Sequence, residues 1–314
     1  MKLKKILSLV MAGALATSLV ACGEKEEQKT EELTSLRVGV MGSIDVVPMV
    51  VAQENGYFKD LGIDLDLQIF TAAKDRDAAL QAGELDGVLC DDVAISIYQN
   101  SGIDMKITGT TTGYWSLVAG KDSGIENISD IKDKSIAISE RTMIEYLAYY
   151  LANENNIDPN NVEKVAIPAM PARLEALKNN QVSAAILPAP FNDTAIADGG
   201  KEITTIYNDD INISVTAFLQ SVIDEKADAI KNFYKAYDMA VEELNKEGVN
   251  KYEDIVIKTV GYSEDMRGKI VLPEFKKNSL PEAEKVQKVF DWSKENGIID
   301  AELNANDIIN NVGV

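Results

Sequence analysis

A strand–helix–strand–helix–strand unit occurs twice along this chain of 314 residues. The first copy opens with a valine-rich apolar strand over 35–41. A helix over 48–55 follows and is stopped by Gly56. Over 63–70, Ile63, Leu65, Leu67 and Ile69 alternate with Asp64, Asp66 and Gln68, the period-2 pattern of a half-buried strand. An Ala- and Leu-rich helix over 72–82, closed by Gly83, leads into a strand over 85–90. About 95 residues further on the order returns: strand 135–139, helix 142–153, strand 162–167, helix 172–179, strand 182–187. Arg76, Ala79 and Leu80 match Arg173, Ala176 and Leu177 at an offset of 97, and the turn Gly62-Ile63-Asp64 has a counterpart in Asn156-Ile157-Asp158. Strands and helices that alternate through short loops form parallel sheets covered by helices. Common α/β units resemble one another by chance, but five elements in matched order argue for two similar α/β lobes.

The remaining elements fit around these copies. Strands over 106–110 and 116–119 extend the first lobe, and strands over 201–207 and 215–220 follow the second copy. Beyond Asp224 the chain reads as helical. Ala227, Ile230, Phe233, Tyr234, Tyr237 and Val241 make an apolar stripe over 226–246, and a second helix over 282–296 is closed by Gly297. This tail has no sheet of its own, so it is expected to pack on the first lobe. Lobe one then comprises 36–119 and 212–314, and lobe two 120–211. The chain crosses near Gly120 and near Asn212, and two crossing strands make a hinge.

The N-terminus is of another kind. Lys2, Lys4 and Lys5 precede an apolar stretch over 6–20 that ends Leu19-Val20-Ala21-Cys22. It is too short and wrongly flanked for a spanning helix and reads as an export signal. Its end resembles the bacterial lipobox, which implies that residues 1–22 are a lipoprotein signal and that Cys22 becomes the lipidated first residue. Residues 23–35, largely GEKEEQKTEELT, are then a charged tether, and the protein is held on a membrane without crossing it.

Composition excludes several chemistries. There are 51 acidic against 31 basic residues, a net charge of -20 that becomes three units more negative when the signal is removed. No large basic surface is available for a nucleic-acid backbone. Histidine is absent, which removes a Ser-His-Asp triad, a His-ligated zinc and a histidine pH switch. Cys22 and Cys90 are the only cysteines, too few for a disulfide framework or a four-cysteine metal site. No catalytic residue, cofactor or metal is expected.

In a parallel sheet, ligands sit at the carboxyl ends of the strands. The loops there name the candidates. Lobe one offers Ser43, Asp45, Thr71, Asp91, Asp92, Thr112 and Tyr114, and lobe two offers Ser139, Arg141, Thr142, Met170 and Pro188. Several of these loops open helices, whose N–H groups and dipoles would point into a cleft, although Ser, Thr and Asp there also serve as plain N-caps. Asp91-Asp92 suits a ligand amine or ring N–H, or a cap. Arg141 suits a carboxylate or sulfonate, or a pair with Glu140 or Glu145. Tyr114 and the adjacent Trp115 could stack on a flat ligand or pack the strand end.

The run VGVMGSIDVVPMVVAQENGYFKDLGIDLDL over 38–67 resembles the start of bacterial solute-binding lipoproteins of the nitrate, aliphatic sulfonate, taurine and thiamine-precursor type. The shared features are Pro48 at a helix start, Ala52-x-x-x-Gly56-Tyr57-Phe58, and Gly62-Ile63-x-Leu65. DAALQAGELDG over 77–87 is similar to the helix-then-strand signature of these proteins, and the segment 276–298, with Trp292 and Gly297-Ile298, to their C-terminal helices. The resemblance runs from Leu36 to the end of the chain. It implies a two-lobed type II periplasmic-binding-protein fold on the outer face of a bacterial cytoplasmic membrane. It also implies a monomer that hands a small solute to the permease and ATPase subunits of an ABC importer. The cysteine-rich run of eukaryotic thiamine-pyrimidine synthases is missing. A bare anion such as nitrate gains nothing from the long-range field of so acidic a protein. The expected solute is therefore neutral, cationic or zwitterionic, such as a vitamin or pyrimidine precursor or an amine-bearing compound, with a sulfonate, taurine or nitrate as the alternative. Two other classes stand beside transport: an enzyme pairing Asp91 with Glu140 across the cleft, and a receptor that signals without transport.

Overall fold

The two copies of the repeat build two five-stranded sheets of identical strand order. The structure is a computed structural model that describes residues 33–314 apart from 213. The expected signal, the lipidated Cys22 and most of the tether lie outside the described residues. In chain order the strands are β1 (Thr34–Met41), β2 (Ile63–Phe70), β3 (Gly87–Cys90), β4 (Met105–Thr110), β5 (Tyr114–Ala119), β6 (Ser135–Ile138), β7 (Glu163–Ala166), β8 (Ala184–Pro188), β9 (Lys201–Tyr207) and β10 (Val215–Leu219). The helices are α1 (Val47–Glu54), α2 (Tyr57–Asp60), α3 (Ala73–Gln81), α4 (Asp92–Asn100), α5 (Met143–Glu154), α6 (Met170–Lys178), α7 (Phe191–Ala197), α8 (Asn208–Ile211), α9 (Gln220–Glu247), α10 (Glu253–Val260), α11 (Ala283–Glu295) and α12 (Ala305–Ile308).

Sheet one runs β2-β1-β3-β10-β4 and sheet two β7-β6-β8-β5-β9. In sheet one, β1 is parallel to β2 and β3, and β10 is antiparallel to β3 and β4. Sheet two repeats this, with β6 parallel to β7 and β8, and β5 antiparallel to β8 and β9. The fourth strand of each sheet is thus the one the chain makes as it arrives from the other sheet. This corrects the expectation that the strand ending at Ala119 extends the first lobe. Over Ser116–Ala119 that strand is fully buried between β8 and β9, and sheet one receives β10 in its place. The first crossing is therefore residues 111–113 rather than the neighbourhood of Gly120. The second is residues 208–214, which includes Asn212.

The turns repeat with the strands. Gly62 and Asn156 have φ of 80° and 58°, and Gly83 and Asn180 have φ of 74° and 55°. The second copy uses asparagine where the first uses glycine, the residue that tolerates the left-handed region best after glycine. In sheet one, Leu36, Val38 and Val40 of the inner strand β1 are fully buried, while Ile69 of the edge strand β2 is 43% exposed. Strict alternation alone predicted Ile69 inside, but an edge strand is covered less completely.

The C-terminal helices are not confined to lobe one. Phe233 of α9 stacks on Phe58 of α2 at 5.4 Å between ring centroids, beneath sheet one. Helix α11, by contrast, packs on α4 with one face and sets Trp292 edge-on to Tyr146 of α5, at 5.2 Å. The tail therefore touches both repeats. The crossings themselves are fastened by Asn208. Its side-chain amide donates to the carbonyls of Thr111 and Ser214, and its Oδ1 accepts from the Ser214 N–H.

Candidate functional site

Where the carboxyl ends of β1 and β3 face those of β6 and β7 there is a cavity of about 60 Å³. Sheet one lines it with Met41, Ser43, Asp45, Arg76 and Asp91, and sheet two with Trp115, Ser139, Thr142, Met170 and Arg173. A groove of about 690 Å³ lies elsewhere, between Tyr114, Tyr207 and the 266–276 segment. It is larger but it is surface, with Val271 78% exposed, and it does not gather the strand ends of the two repeats. The small cavity does, which makes it the candidate site.

Each polar wall is placed by local backbone chemistry. Asp91 follows β3 and caps α4, its Oδ1 accepting from the Ala94 N–H at 2.8 Å. Its carboxyl also meets the Met143 N–H at the start of α5, so it faces helix N-termini from both repeats. Burial pushes its pKa above the ordinary aspartate value, against the pull of Arg76 and these N–H groups. Thr142 caps α5 by accepting from the Ile144 N–H at 3.2 Å, and donates its hydroxyl hydrogen to the Ser139 carbonyl. Asp45 accepts from the hydroxyls of Ser43 and Ser214. Burial raises its pKa in spite of both bonds. Gly113 makes room for it: a Cβ there would stand 3.2 Å from the Asp45 Cβ.

Two arginines occupy corresponding places. Arg76 of α3 donates to the Leu89 carbonyl, and Arg173 of α6 to the Ile186 carbonyl, each 13 residues ahead. Both side chains are 2% exposed. Arg76 pairs with Asp77 at 2.8 Å. Burial works against its charge, but Tyr98, Asp77, Cys90 and Asp91 outweigh it and hold its pKa well above the ordinary value. Arg173 has Leu174 where Arg76 has Asp77. It makes no ion pair among the described residues, its Nε has no partner, and burial pushes its pKa down to about 10. The thiol of Cys90 also lines the cavity, its pKa raised by burial. No group of residues that could hold a metal occurs among the described residues.

Of the residues named from sequence, Ser43, Asp45, Asp91, Ser139, Thr142 and Met170 come together here. The others do not. Asp92 is turned away from the cavity and fully buried, where its Oδ2 accepts from the Asn212 amide at 2.7 Å. Arg141 sits at φ 56° with its guanidinium on the Ile298 carbonyl, tying α5 to the C-terminal segment. Thr71 is exposed, whereas Ala73 two residues on lines the wall. Pro188 ends β8 opposite Trp115. Thr112 and Tyr114 belong to the outer groove. Strand alternation explains the last of these, because neighbouring residues on β5 face opposite ways and Trp115, not Tyr114, looks inward. Sequence reasoning names Trp115 as a candidate stacking partner, and it lines the cavity, but misses Arg76, Arg173 and Ser214 as site residues. Only the arginine pair carried a signal, its match at an offset of 97, which was read as a mark of the repeat.

Known proteins agree with this architecture. A Brachyspira hyodysenteriae protein, named as an ABC transporter periplasmic binding protein, is 26% identical over 265 residues, covering 77% of this chain and 74% of that one. Among solved structures, the periplasmic aliphatic sulphonate binding protein of Escherichia coli superposes with a TM-score of 0.73 at 17% identity, over 88% of this chain and 97% of the other. The desulfurization enzyme DszB superposes with a TM-score of 0.63 at 10% identity, over 88% and 96%. The fold is thus shared by binding proteins and at least one enzyme, so chemistry has to be argued from the site. Residues 29–253, well over half of the sequence, match the model of one family, and the chain belongs to the NMT1-like family.

Proposed function

We propose that this protein is the solute-binding component of an ABC importer, anchored through lipidated Cys22 to the outer face of the cytoplasmic membrane and acting as a monomer. The observation that carries this reading is the shared cavity. Ser43, Asp45 and Asp91 come from one repeat and Ser139, Thr142 and Met170 from the other. A solute held by both walls favours the arrangement in which the lobes meet, since a ligand shifts an equilibrium by its differential affinity for the two states. The permease would then recognise the closed pair of lobes, and selectivity in the cavity becomes selectivity of transport. The chain crosses between sheets at two short segments fastened by Asn208, which suits opening about that line. No described helix is long and apolar enough to cross a membrane.

The solute is a small nitrogen-containing organic compound, such as a vitamin or pyrimidine precursor or an amine-bearing molecule. Asp91, set between two helix starts in the cavity wall, is the acceptor for its N–H. Catalysis finds less support. Glu140, the proposed partner of Asp91, is exposed and does not line the cavity. A thermal-shift screen of vitamins, pyrimidines, amino acids, sulfonates and nitrate tests the proposal, because a ligand of the native state raises the melting temperature. At least one compound should do so and be recovered chemically unchanged. No shift across the screen would count against binding, and recovery of a converted compound would favour an enzyme.

A further inference from the structure

We infer that Arg173 is the residue that dictates the solute's charge: an acidic group on the solute docks against its guanidinium, on the sheet-two side of the cavity. This rests on the solute-binding reading above and deepens it. Arg173 and Arg76 are equivalent by sequence offset, by hydrogen bond to the strand carbonyl 13 residues ahead, and by burial. They differ in their counter-charge. Asp77 neutralises Arg76 from inside the protein, while the same position in the second repeat is Leu174, a member of the apolar core. A buried cation without an anion is unfavourable, and Arg173 keeps an unpartnered Nε in the cavity wall. A guanidinium presents a planar fork of donors that matches a carboxylate, sulfonate or phosphonate.

The surroundings reinforce the direction. The N-terminus of the 12-residue helix α5 opens on the same cavity through Thr142 and Met143, but Asp91 already meets the Met143 N–H, which leaves Arg173 as the cation without an anionic partner on that side among the described residues. The acidic side chains of the cavity stand on the sheet-one side: Asp45 is engaged by Ser43 and Ser214, and Asp91 faces Arg76. The solute would therefore lie across the gap, its acidic group toward α6 and its nitrogen toward Asp91. The expectation that a strongly acidic protein disfavours anions concerns its long-range field. Inside the cavity this one local cation decides.

Matched acid and uncharged pairs test the inference: nicotinate against nicotinamide and orotate against uracil, with β-alanine and taurine as zwitterionic acids. Calorimetric titration of the wild-type protein should find that whichever of these bind are acids, each paired one at least about tenfold tighter than its uncharged partner. Arg173→Gln should weaken the acid by about 100-fold and abolish the discrimination, and Arg173→Lys should restore part of it. With no compound added, Arg173→Gln should melt no lower than wild type, because it removes an unpaired buried charge. Binding confined to the uncharged members, or acid binding unchanged in Arg173→Gln, would overturn the inference and leave the transport reading standing. No binding by any member, together with no hit in the broader thermal-shift screen, would remove both.

Discussion

The side-chain amide of Asn208 donates to the carbonyl of Thr111 at 2.8 Å, so a single buried residue holds the two crossing segments together. The same side chain bonds the Ser214 carbonyl and accepts the Ser214 N–H at 2.7 Å. Asn208→Ala removes these bonds and leaves a buried N–H and two carbonyls to find other partners. Urea unfolding should show a loss on the order of 2–3 kcal/mol. A loss within about 0.5 kcal/mol would mean that the crossings are fastened elsewhere.

Asp92 gives the protein a pH dependence of definite sign. Burial raises its carboxyl from 3.8 to about 8, against the hydrogen bond from Asn212. Between these values the folded chain keeps a proton that the unfolded chain releases, so stability from this group is complete below pH ~4 and is lost as pH rises to about 8. Asp45 and Asp91 shift in the same direction. The melting temperature should therefore decline between about pH 4 and pH 8 and level off above that. Asp92→Asn keeps an amide-compatible partner for Asn212 and removes the charge. It should flatten the curve and melt higher than wild type at its alkaline end; parallel curves would show that Asp92 is not the titrating group.

Both tryptophans are placed to separate two events. Trp115 lines the cavity, whereas Trp292 packs against Tyr146 and Tyr149 where α11 meets α5. Solute binding should change the emission of Trp115, and the change should vanish in Trp115→Phe and persist in Trp292→Phe. A signal that disappears only with Trp292 would place the response at the helix junction.

Asp91 and Thr142 carry two roles, and their variants should show both. Each caps a helix, so Asp91→Ala and Thr142→Ala should each cost about 1 kcal/mol of stability and still fold. Each also lines the cavity and should weaken solute binding, measured by titration at a temperature well below the melting point. Lost stability with unchanged affinity would reduce them to caps.

Much of the fold was legible because it is repeated. Strand 63–70 was read with its observed bounds, and the two sheets share one strand order. The assignment of β5 failed because local pattern marks a strand but not its neighbours, and β5 completes the sheet that follows it in sequence. Site residues on loops after parallel strands, such as Ser43, Asp91 and Ser139, were legible from topology alone. Arg76 and Arg173 were not, because they sit a full turn inside their helices and reach the cavity by length. Nor was the fate of Arg141, whose left-handed backbone turns it to the Ile298 carbonyl.

The central claim is that one solute is gripped by both repeats at the strand ends. A crystal structure of the protein with the tightest-binding compound of the screen tests it most directly. Density bridging Asp91 and Ser43 on one side to Thr142 and Arg173 on the other is the predicted result. A compound lodged instead in the outer groove beside Tyr114 and Val271, or touching one sheet alone, would contradict it.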